Sequence, residues 1–258
     1  MLNLLLIGNG KFGQNYIKTL ASFSNINLKV ANRNNWQELI DNKPDGVLIA
    51  TPPHLHIEMA LQSLKNNIPT MIEKPLALDL NECQKLNAFN QSIILVNHIH
   101  LFSKDYQYIK QNIKPYQIKH IDSIGASNNI ERNYSELFDY GCHDIAMILD
   151  LMQQFPSSIK CEKFSDDRLF LIEMNFEGLK TSSVVGHIDI KRRYLKVNDQ
   201  IYDGANTTDN PLTTAIQVFI NAIQGKKDYR LGLNLSMKVM KVLDICQQSI
   251  NNNKVIYA

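Results

Sequence analysis

The sequence predicts an α/β protein whose N-terminal half folds as a doubly wound parallel sheet, with a second α/β region behind it. Three observations carry this expectation. The apolar run Leu2–Ile7 leads directly into a glycine-rich hexapeptide, Gly8-Asn9-Gly10-Lys11-Phe12-Gly13. Short apolar runs then alternate with stretches of helical spacing as far as Val96, and strands that alternate with helices pair in parallel through crossovers. Beyond Gln117 several stretches read as strands, two of which alternate residue by residue as half-buried strands do.

Taken in order, Leu2–Ile7 is a short apolar run, as a strand buried on both faces should be. Gln14–Ser22 has helical spacing. Leu28–Ala31 and Gly46–Ala50 are the next strands, and the turn Thr51-Pro52-Pro53 follows. Ile57–Asn66 is helical, Thr70–Ile72 is a strand ending at Glu73-Lys74-Pro75, Leu80–Phe89 is helical and Ile93–Val96 is a strand. Tyr134–Met152 reads as a helix with Ser135 as N-cap. In Leu169–Phe176 the residues Phe170, Ile172, Met174 and Phe176 form one buried face, and Thr181–Ile190 places Ser183, His187 and Asp189 on one side. Pro211-Leu212 opens a helix that runs through Ile223 and stops at Gly225, and Leu235–Ile250 is the last helix. The expected division is a nucleotide-binding domain over 1–116 and a substrate-binding, catalytic domain over 117–258.

Composition sets the broad class. Of 258 residues, 44% are hydrophobic and 20% charged, enough apolar content to bury a core. The formal net charge of +2, with no basic block, gives no reason to expect nucleic acid or an anionic membrane as a partner. No segment is apolar for long enough to span a bilayer, and Met1–Ile7 runs straight into a turn rather than a cleavage site. Cys83, Cys142, Cys161 and Cys246 form no C-x-x-C pair, so free thiols in a reducing, cytoplasmic setting are expected. No two histidines are set among carboxylates or cysteines at ligand spacing, so no metal is expected.

The glycine loop carries the first chemistry. Gly8 permits a tight turn, Gly10 lets the backbone approach a pyrophosphate and Gly13 lets helix and strand pack closely. The helix that follows offers free N–H groups and the positive end of its dipole to phosphates, which brings Asn9, Lys11 and Phe12 to the cofactor. By itself such a loop is a glycine-rich turn; its place after a strand and before a helix makes it a dinucleotide-binding candidate of Rossmann type. At the end of the second strand an Asp or Glu would bind the ribose of NAD, but this chain has Asn32-Arg33-Asn34. Arg33 suits a 2′-phosphate and favours NADP over NAD. A solvated arginine, or one stacked on the adenine of either cofactor, is the other reading. Ligands of open parallel sheets bind beyond the carboxyl ends of the strands, which places Thr51, Pro52, His56, Glu73 and Lys74 at the cofactor crevice.

The glycine loop, T-P-P-x-x-H at Thr51–His56 and E-K-P at Glu73–Pro75, in this order, resemble the glucose–fructose oxidoreductase / inositol dehydrogenase / MocA (Gfo/Idh/MocA) family. The resemblance covers nearly the whole chain, which would be a short member. It implies a Rossmann domain followed by an α/β domain with an open, mostly antiparallel sheet. It also implies hydride chemistry on sugars, cyclitols or nucleotide-linked sugars. Lys74 matches the family's active-site lysine. Asp139-Tyr140-Gly141-Cys142-His143 matches its D-x-G-x-H signature, whose Asp and His serve in catalysis. Two departures stand out. Leu101 replaces an arginine that often follows the last strand of the first domain, and Ala146 replaces a second Asp after the histidine.

The residues themselves are suited to such chemistry. Spacing of i, i+4 puts Asp139 and His143 on one helix face, and Gly141 between them leaves room for a substrate. His143 titrates near neutral pH and would act as acid or base, Asp139 would orient it, and Lys74 would steady a developing alkoxide. Each group alone is ordinary: an Asp/His pair at this spacing is commonly a surface feature, and a lone lysine commonly solvated. His54, His98 and His100 are as readily structural as functional. The expected protein is an NAD(P)-dependent oxidoreductase of a carbohydrate-type alcohol or ketone. As in the family, sheets would pair between copies in a homo-oligomer (dimer or tetramer). A non-catalytic dinucleotide or sugar sensor and a reductase of a non-sugar substrate are the competing readings.

Overall fold

The structure, a computed structural model, describes residues 1–128, 132–164, 168–206 and 209–258. By internal contacts it divides into two units, 1–97 with 211–237, and 98–210 with 238–258. The first unit thus closes at Asn97 and recovers a later segment. Residues 98–116, grouped with the first domain from the sequence, join the second unit.

The first unit is built on a five-stranded, all-parallel sheet in the order β2-β1-β3-β4-β5. These strands are β1 (Leu2–Ile7), β2 (Ile26–Ala31), β3 (Gly46–Ile49), β4 (Thr70–Glu73) and β5 (Ile94–Asn97). Strands β3, β4 and β5 are buried along their whole length, as a sheet covered on both faces requires. Helices α1 (Lys11–Leu20), α2 (Trp36–Asp41), α3 (His56–Lys65) and α4 (Leu80–Gln84) provide the crossovers. The expected helix over 80–89 changes at Lys85 into a 3-10 turn, and α2 is an element the sequence reading passed over. Six residues of α2 hold too little periodicity to stand out.

The second unit opens with α5 (Lys104–Asn112) and carries a seven-stranded sheet in the order β11-β10-β6-β9-β8-β7-β12. Its strands are β6 (Ile121–Ser127), β7 (Ser158–Lys163), β8 (Leu169–Phe176), β9 (Leu179–His187), β10 (Arg192–Val197), β11 (Gln200–Asp203) and β12 (Ile256–Tyr257). Among the described pairings only β6 with β9 is parallel, so the sheet is mostly antiparallel, as expected. β8 falls on the residues expected, with Phe170, Ile172, Met174 and Phe176 buried. Helix α6 (Cys142–Met152) is buried at every position and forms the core of this unit. The expected N-terminal part of that helix is instead a π-helical turn over Leu137–Gly141, and Ser135 Oγ accepts a bond from Leu137 N at 3.2 Å. Helix α7 (Pro211–Ile223) belongs to the first unit, and α8 (Asn234–Asn252) begins in the first and continues into the second. All four cysteines are free thiols and buried. No helix among the described residues is long and apolar enough to cross a membrane.

Candidate active site

In the first unit the glycine loop forms where strand must become helix without a side chain in the way. Gly8 sits at φ +108°, a backbone that L side chains rarely adopt, and a Cβ there would lie 2.6 Å from the Ala50 carbonyl oxygen. A Cβ on Gly13 would lie 2.1 Å from the Gly8 carbonyl oxygen, so helix α1 could not seat on the loop. Gly10 is different: a Cβ there would meet nothing within 4 Å. It is the N-cap of α1, it makes no side-chain cap bond, and the first turn carries no acidic residue. Asn9, Gly10 and Lys11 are exposed. The backbone N–H groups at this helix start therefore suit a diphosphate.

At the end of β2, Asn32 and Asn35 close a turn. Asn35 Oδ1 accepts from Asn32 N at 2.8 Å, and Asn32 Oδ1 accepts from Asn34 N at 2.8 Å. The Asn32 carboxamide is therefore used within the turn, while Arg33 is exposed on it. No carboxylate lies in 32–35 to oppose a phosphate.

The two proline-bearing turns are bolted together by His56. Its Nδ1 lies 2.9 Å from the Pro75 carbonyl oxygen and its Nε2 2.9 Å from that of Thr51, and the residue is fully buried. Burial lowers its pKa, against the pull of these carbonyls. With both nitrogens engaged, His56 serves the crevice by fixing its loops. Thr51 donates to Met59 Sδ at 3.5 Å, and Pro52 is exposed beside it.

Glu73 is likewise inside the protein. Its Oε1 accepts from Tyr16 Oη at 2.6 Å and from Asn97 Nδ2 at 2.7 Å, and its Oε2 accepts from Lys74 N at 3.2 Å. Asn97 Nδ2 also donates to Tyr16 Oη at 2.9 Å. Burial pushes the Glu73 carboxyl above the usual carboxylate range, and its hydrogen bonds and the neighbouring Lys74 charge pull the other way. This network ties α1 to the carboxyl ends of β4 and β5 and fixes the backbone from which the half-buried Lys74 projects. Tyr16 and Asn97 were missed in the sequence. Only a polar residue ending an apolar strand, as Asn97 does, signalled them.

In the second unit Asp139 lies in the π-helical turn and His143 in the first turn of α6, both buried. Asp139 Oδ2 accepts from Arg132 Nε at 3.0 Å and Oδ1 from Tyr134 Oη at 3.5 Å. Burial and the Asp139 charge push the Tyr134 phenol well above its ordinary value, so it stays a donor. On the same turn Glu136 accepts from Arg168 Nε at 2.8 Å, and Arg168 Nη2 lies 3.1 Å from His187 Nδ1. Arg132 and Arg168 escaped the sequence reading because nothing local links them to the signature.

Gly141 corrects an expectation. A Cβ there would sit 3.4 Å from Ile172 Cδ1 and Leu137 Cδ1 and 3.6 Å from Val185 Cγ2. The glycine faces the side chains of β8 and β9 and lets the turn rest on the sheet; the space beside it is core, not room for substrate. Asp144, the residue after His143, forms a fully buried ion pair with Arg193 of β10. Burial raises the Asp144 carboxyl and the Arg193 guanidinium opposes this. The pair crosses β6 at Gly125, where a Cβ would lie 2.3 Å from Asp144 Oδ2. Leu101, in place of the family's arginine, is core. Among the described residues no group of three or more His, Cys, Asp or Glu is arranged to hold a metal ion.

Residues 21–92 match the family model GFO_IDH_MocA, described as an oxidoreductase family with an NAD-binding Rossmann fold. A curated relative, 2,7-anhydro-N-acetylneuraminate hydratase of Escherichia coli (strain K12), is 26% identical over 156 residues, 53% of this chain and 42% of that protein. The chain thus matches less than half the length of this relative. Solved structures share the fold throughout. A Magnetospirillum magnetotacticum MS-1 protein provisionally named an oxidoreductase superposes with a TM-score of 0.84 and 25% identity, over 95% of this chain and 99% of its own. UDP-N-acetylglucosamine 3-dehydrogenase GnnA of Acidithiobacillus ferrooxidans gives 0.86 at 16% identity, over 97% and 98%. Scyllo-inositol dehydrogenase of Lactobacillus casei with bound NAD(H) and scyllo-inositol gives 0.84 at 12% identity, over 100% and 99%. Residues 21–92 thus match the NAD-binding Rossmann segment of the Gfo/Idh/MocA oxidoreductase family, and the chain as a whole shares its fold with these solved dehydrogenases.

Proposed function

We propose that the protein is an NAD(P)-dependent dehydrogenase or reductase acting on a hydroxyl or ketone of a sugar, nucleotide sugar or cyclitol. The observation that carries this reading is the glycine loop: Gly10 is the N-cap of helix α1, a Cβ there would meet nothing within 4 Å, and it makes no side-chain cap bond. A bound nicotinamide cofactor supplies the hydride acceptor or donor. The protein's own groups then handle the proton. His143 takes it from the substrate hydroxyl in oxidation and returns it in reduction. Asp139, held by Arg132 and Tyr134, keeps a negative charge on the turn before His143 and favours its protonated form. Lys74, on a backbone fixed by Glu73, donates to the substrate oxygen and stabilises charge that builds there.

Exposed Arg33 in a turn free of carboxylates supports NADP over NAD. The names of the similar dehydrogenases support the substrate class. The exposed face of the second sheet supports a homo-oligomer: Leu171, Val184, Ile124 and Tyr194 are successive cross-strand neighbours, half-buried in the single chain, and form an apolar row that a second copy would cover. The E. coli relative's name favours a second reading, in which the same groups add water to a sugar without net redox change.

A panel of inositols, aldoses and UDP-sugars with NAD+, NADP+ and their reduced forms, followed at 340 nm with product analysis, tests these readings. Oxidation or reduction by the wild type is expected, with kcat reduced about 100-fold or more in Lys74→Ala and His143→Ala. Full turnover in either variant refutes the assigned role. Hydrated product without net change in reduced cofactor selects the second reading.

A further inference from the structure

His143 is held by more than its own helix. His100 lies in the 3-10 turn Ile99–Phe102, and its ring meets the His143 ring edge to face, with centroids 4.6 Å apart and an interplanar angle of 74°. On its other side His100 Nδ1 is 2.7 Å from Tyr202 Oη of β11, with the rings 5.8 Å apart. Tyr202 is fully buried and stands edge-on to Tyr106 of α5, at 6.2 Å between centroids. Tyr106 Oη donates to Asp150 Oδ2 at 2.7 Å and reaches the Met147 carbonyl at 3.1 Å. Asp150 and Met147 belong to α6, the helix that carries His143. The contacts therefore close a ring: α6, Tyr106, Tyr202, His100, His143 and α6 again, all within the second unit.

A histidine ring attached to a helix still has a soft, broad χ2 torsion and two tautomers. An acid/base imidazole is useful only when one nitrogen faces the substrate, since a misplacement of about 1 Å costs about 100-fold. An edge-to-face neighbour restricts both torsion and tautomer, provided the neighbour is itself fixed. Burial raises the Tyr202 phenol to about 12 and keeps it protonated, so it can donate to His100 Nδ1.

We propose that His100 is a positioning residue for His143: Tyr202 donates to its Nδ1, and the ring so fixed sets the plane and tautomer of the His143 imidazole. The inference rests on reading His143 as the acid/base group. It adds two residues, His100 and Tyr202, that lie outside the D-x-G-x-H signature. Leucine at position 100 would remove both the hydrogen bond and the imidazole. Phenylalanine at 202 would remove only the bond.

The test is made first on the full chain without substrate. Long-range imidazole 1H–15N spectra are recorded on protein labelled at its seven histidines, with His143→Asn assigning the His143 signals. A single tautomer pattern is expected for His143 in the wild type. It should collapse to an averaged pattern in His100→Leu and move part of the way in Tyr202→Phe, with an unchanged melting midpoint in the latter. On a substrate from the panel above, His100→Leu should lower kcat about 10- to 100-fold at unchanged KM, and should cost nothing further in His143→Ala. Wild-type His143 signals in both variants, or a further loss from His100→Leu in the His143→Ala background, overturns the proposal. If His100→Leu does not fold, Tyr202→Phe carries the same spectral and kinetic test. Full turnover by His143→Ala would instead remove the acid/base reading, a result separate from the spectra of the substrate-free chain.

Discussion

The chain has two glycine-bearing motifs at helix starts, and their glycines do opposite things. In Gly8–Gly13 the glycines exist because backbone meets backbone: a Cβ on Gly13 would lie 2.1 Å from a carbonyl oxygen, and one on Gly8 would lie 2.6 Å from another. In Asp139–His143 the single glycine meets the ends of Ile172, Leu137 and Val185 at ordinary contact distances. The first motif offers main-chain N–H groups at the start of α1, and its glycines make room for main chain, Gly13 for Gly8 and Gly8 for Ala50. The second displays side chains, and these meet groups elsewhere in the chain: Asp139 meets Arg132, seven positions before it, and Asp144 and His143 meet Arg193 and His100, each more than 40 positions away.

The largest effect expected from this contrast is at Gly13. Gly13→Ala places a methyl against the Gly8 carbonyl, and neither backbone can yield without moving β1 or α1. A destabilisation of about 3 kcal/mol, at the upper end for overpacking, is expected, together with loss of measurable dinucleotide binding. Urea unfolding and titration of NADH or NADPH fluorescence check both. Binding as tight as in the wild type would mean that the loop does not carry the diphosphate.

This contrast also explains what the sequence disclosed. The parallel sheet was legible because most of its strands carry a short, largely apolar run between helices. The glycine loop was legible because one of its constraints, Gly13 against Gly8, lies within six residues. The strands β8 and β9 and helix α7 followed from alternation and from Pro211. Lys74, Asp139 and His143 were found as a pattern, but their supports were not. Tyr16 and Glu73 are 57 positions apart and His100 and Tyr202 are 102 apart, and no periodicity reports such pairs. The π-helical turn was read as ordinary helix because the two differ by one residue in hydrogen-bond register, which apolar spacing over five residues cannot resolve. Gly141 was read as a gap for substrate because a sequence shows that a side chain is missing but not what fills the space.

A smaller effect sharpens the comparison on the side of the first unit, where one side-chain network does matter. Buried Glu73 has a pKa above the usual carboxylate range. Its folded-state pKa thus exceeds its unfolded one, and the native state holds the proton more readily. Stability from this group therefore falls as pH rises from the ordinary carboxylate range through the raised value. Glu73→Gln keeps an oxygen for Tyr16 and Asn97 and abolishes the titration, while an amide nitrogen facing Lys74 N adds a constant penalty. The midpoint of the variant minus that of the wild type is expected to rise by roughly 2–4 °C between pH 5 and pH 8. Thermal melts across that range decide it. A difference that is flat or falls with pH would show that the network, not burial, governs the carboxyl.

The smallest effect is expected at Gly141, and it separates the two motifs most cleanly. If the glycine made room for substrate, a methyl there would obstruct binding and raise KM steeply. The structure instead sets that methyl against Ile172, Leu137 and Val185 at 3.4–3.6 Å, so it would fill core space that is already nearly closed. Alanine also costs less backbone entropy than glycine within a helical turn. The two terms are of similar size and opposite sign. Gly141→Ala should therefore shift stability by less than about 1 kcal/mol and leave KM within about twofold, since only an interaction with bound substrate would change it. Steady-state kinetics beside a urea melt give both numbers. A rise in KM of tenfold or more at unchanged stability would return Gly141 to the substrate side, and the motif would then resemble the glycine loop after all.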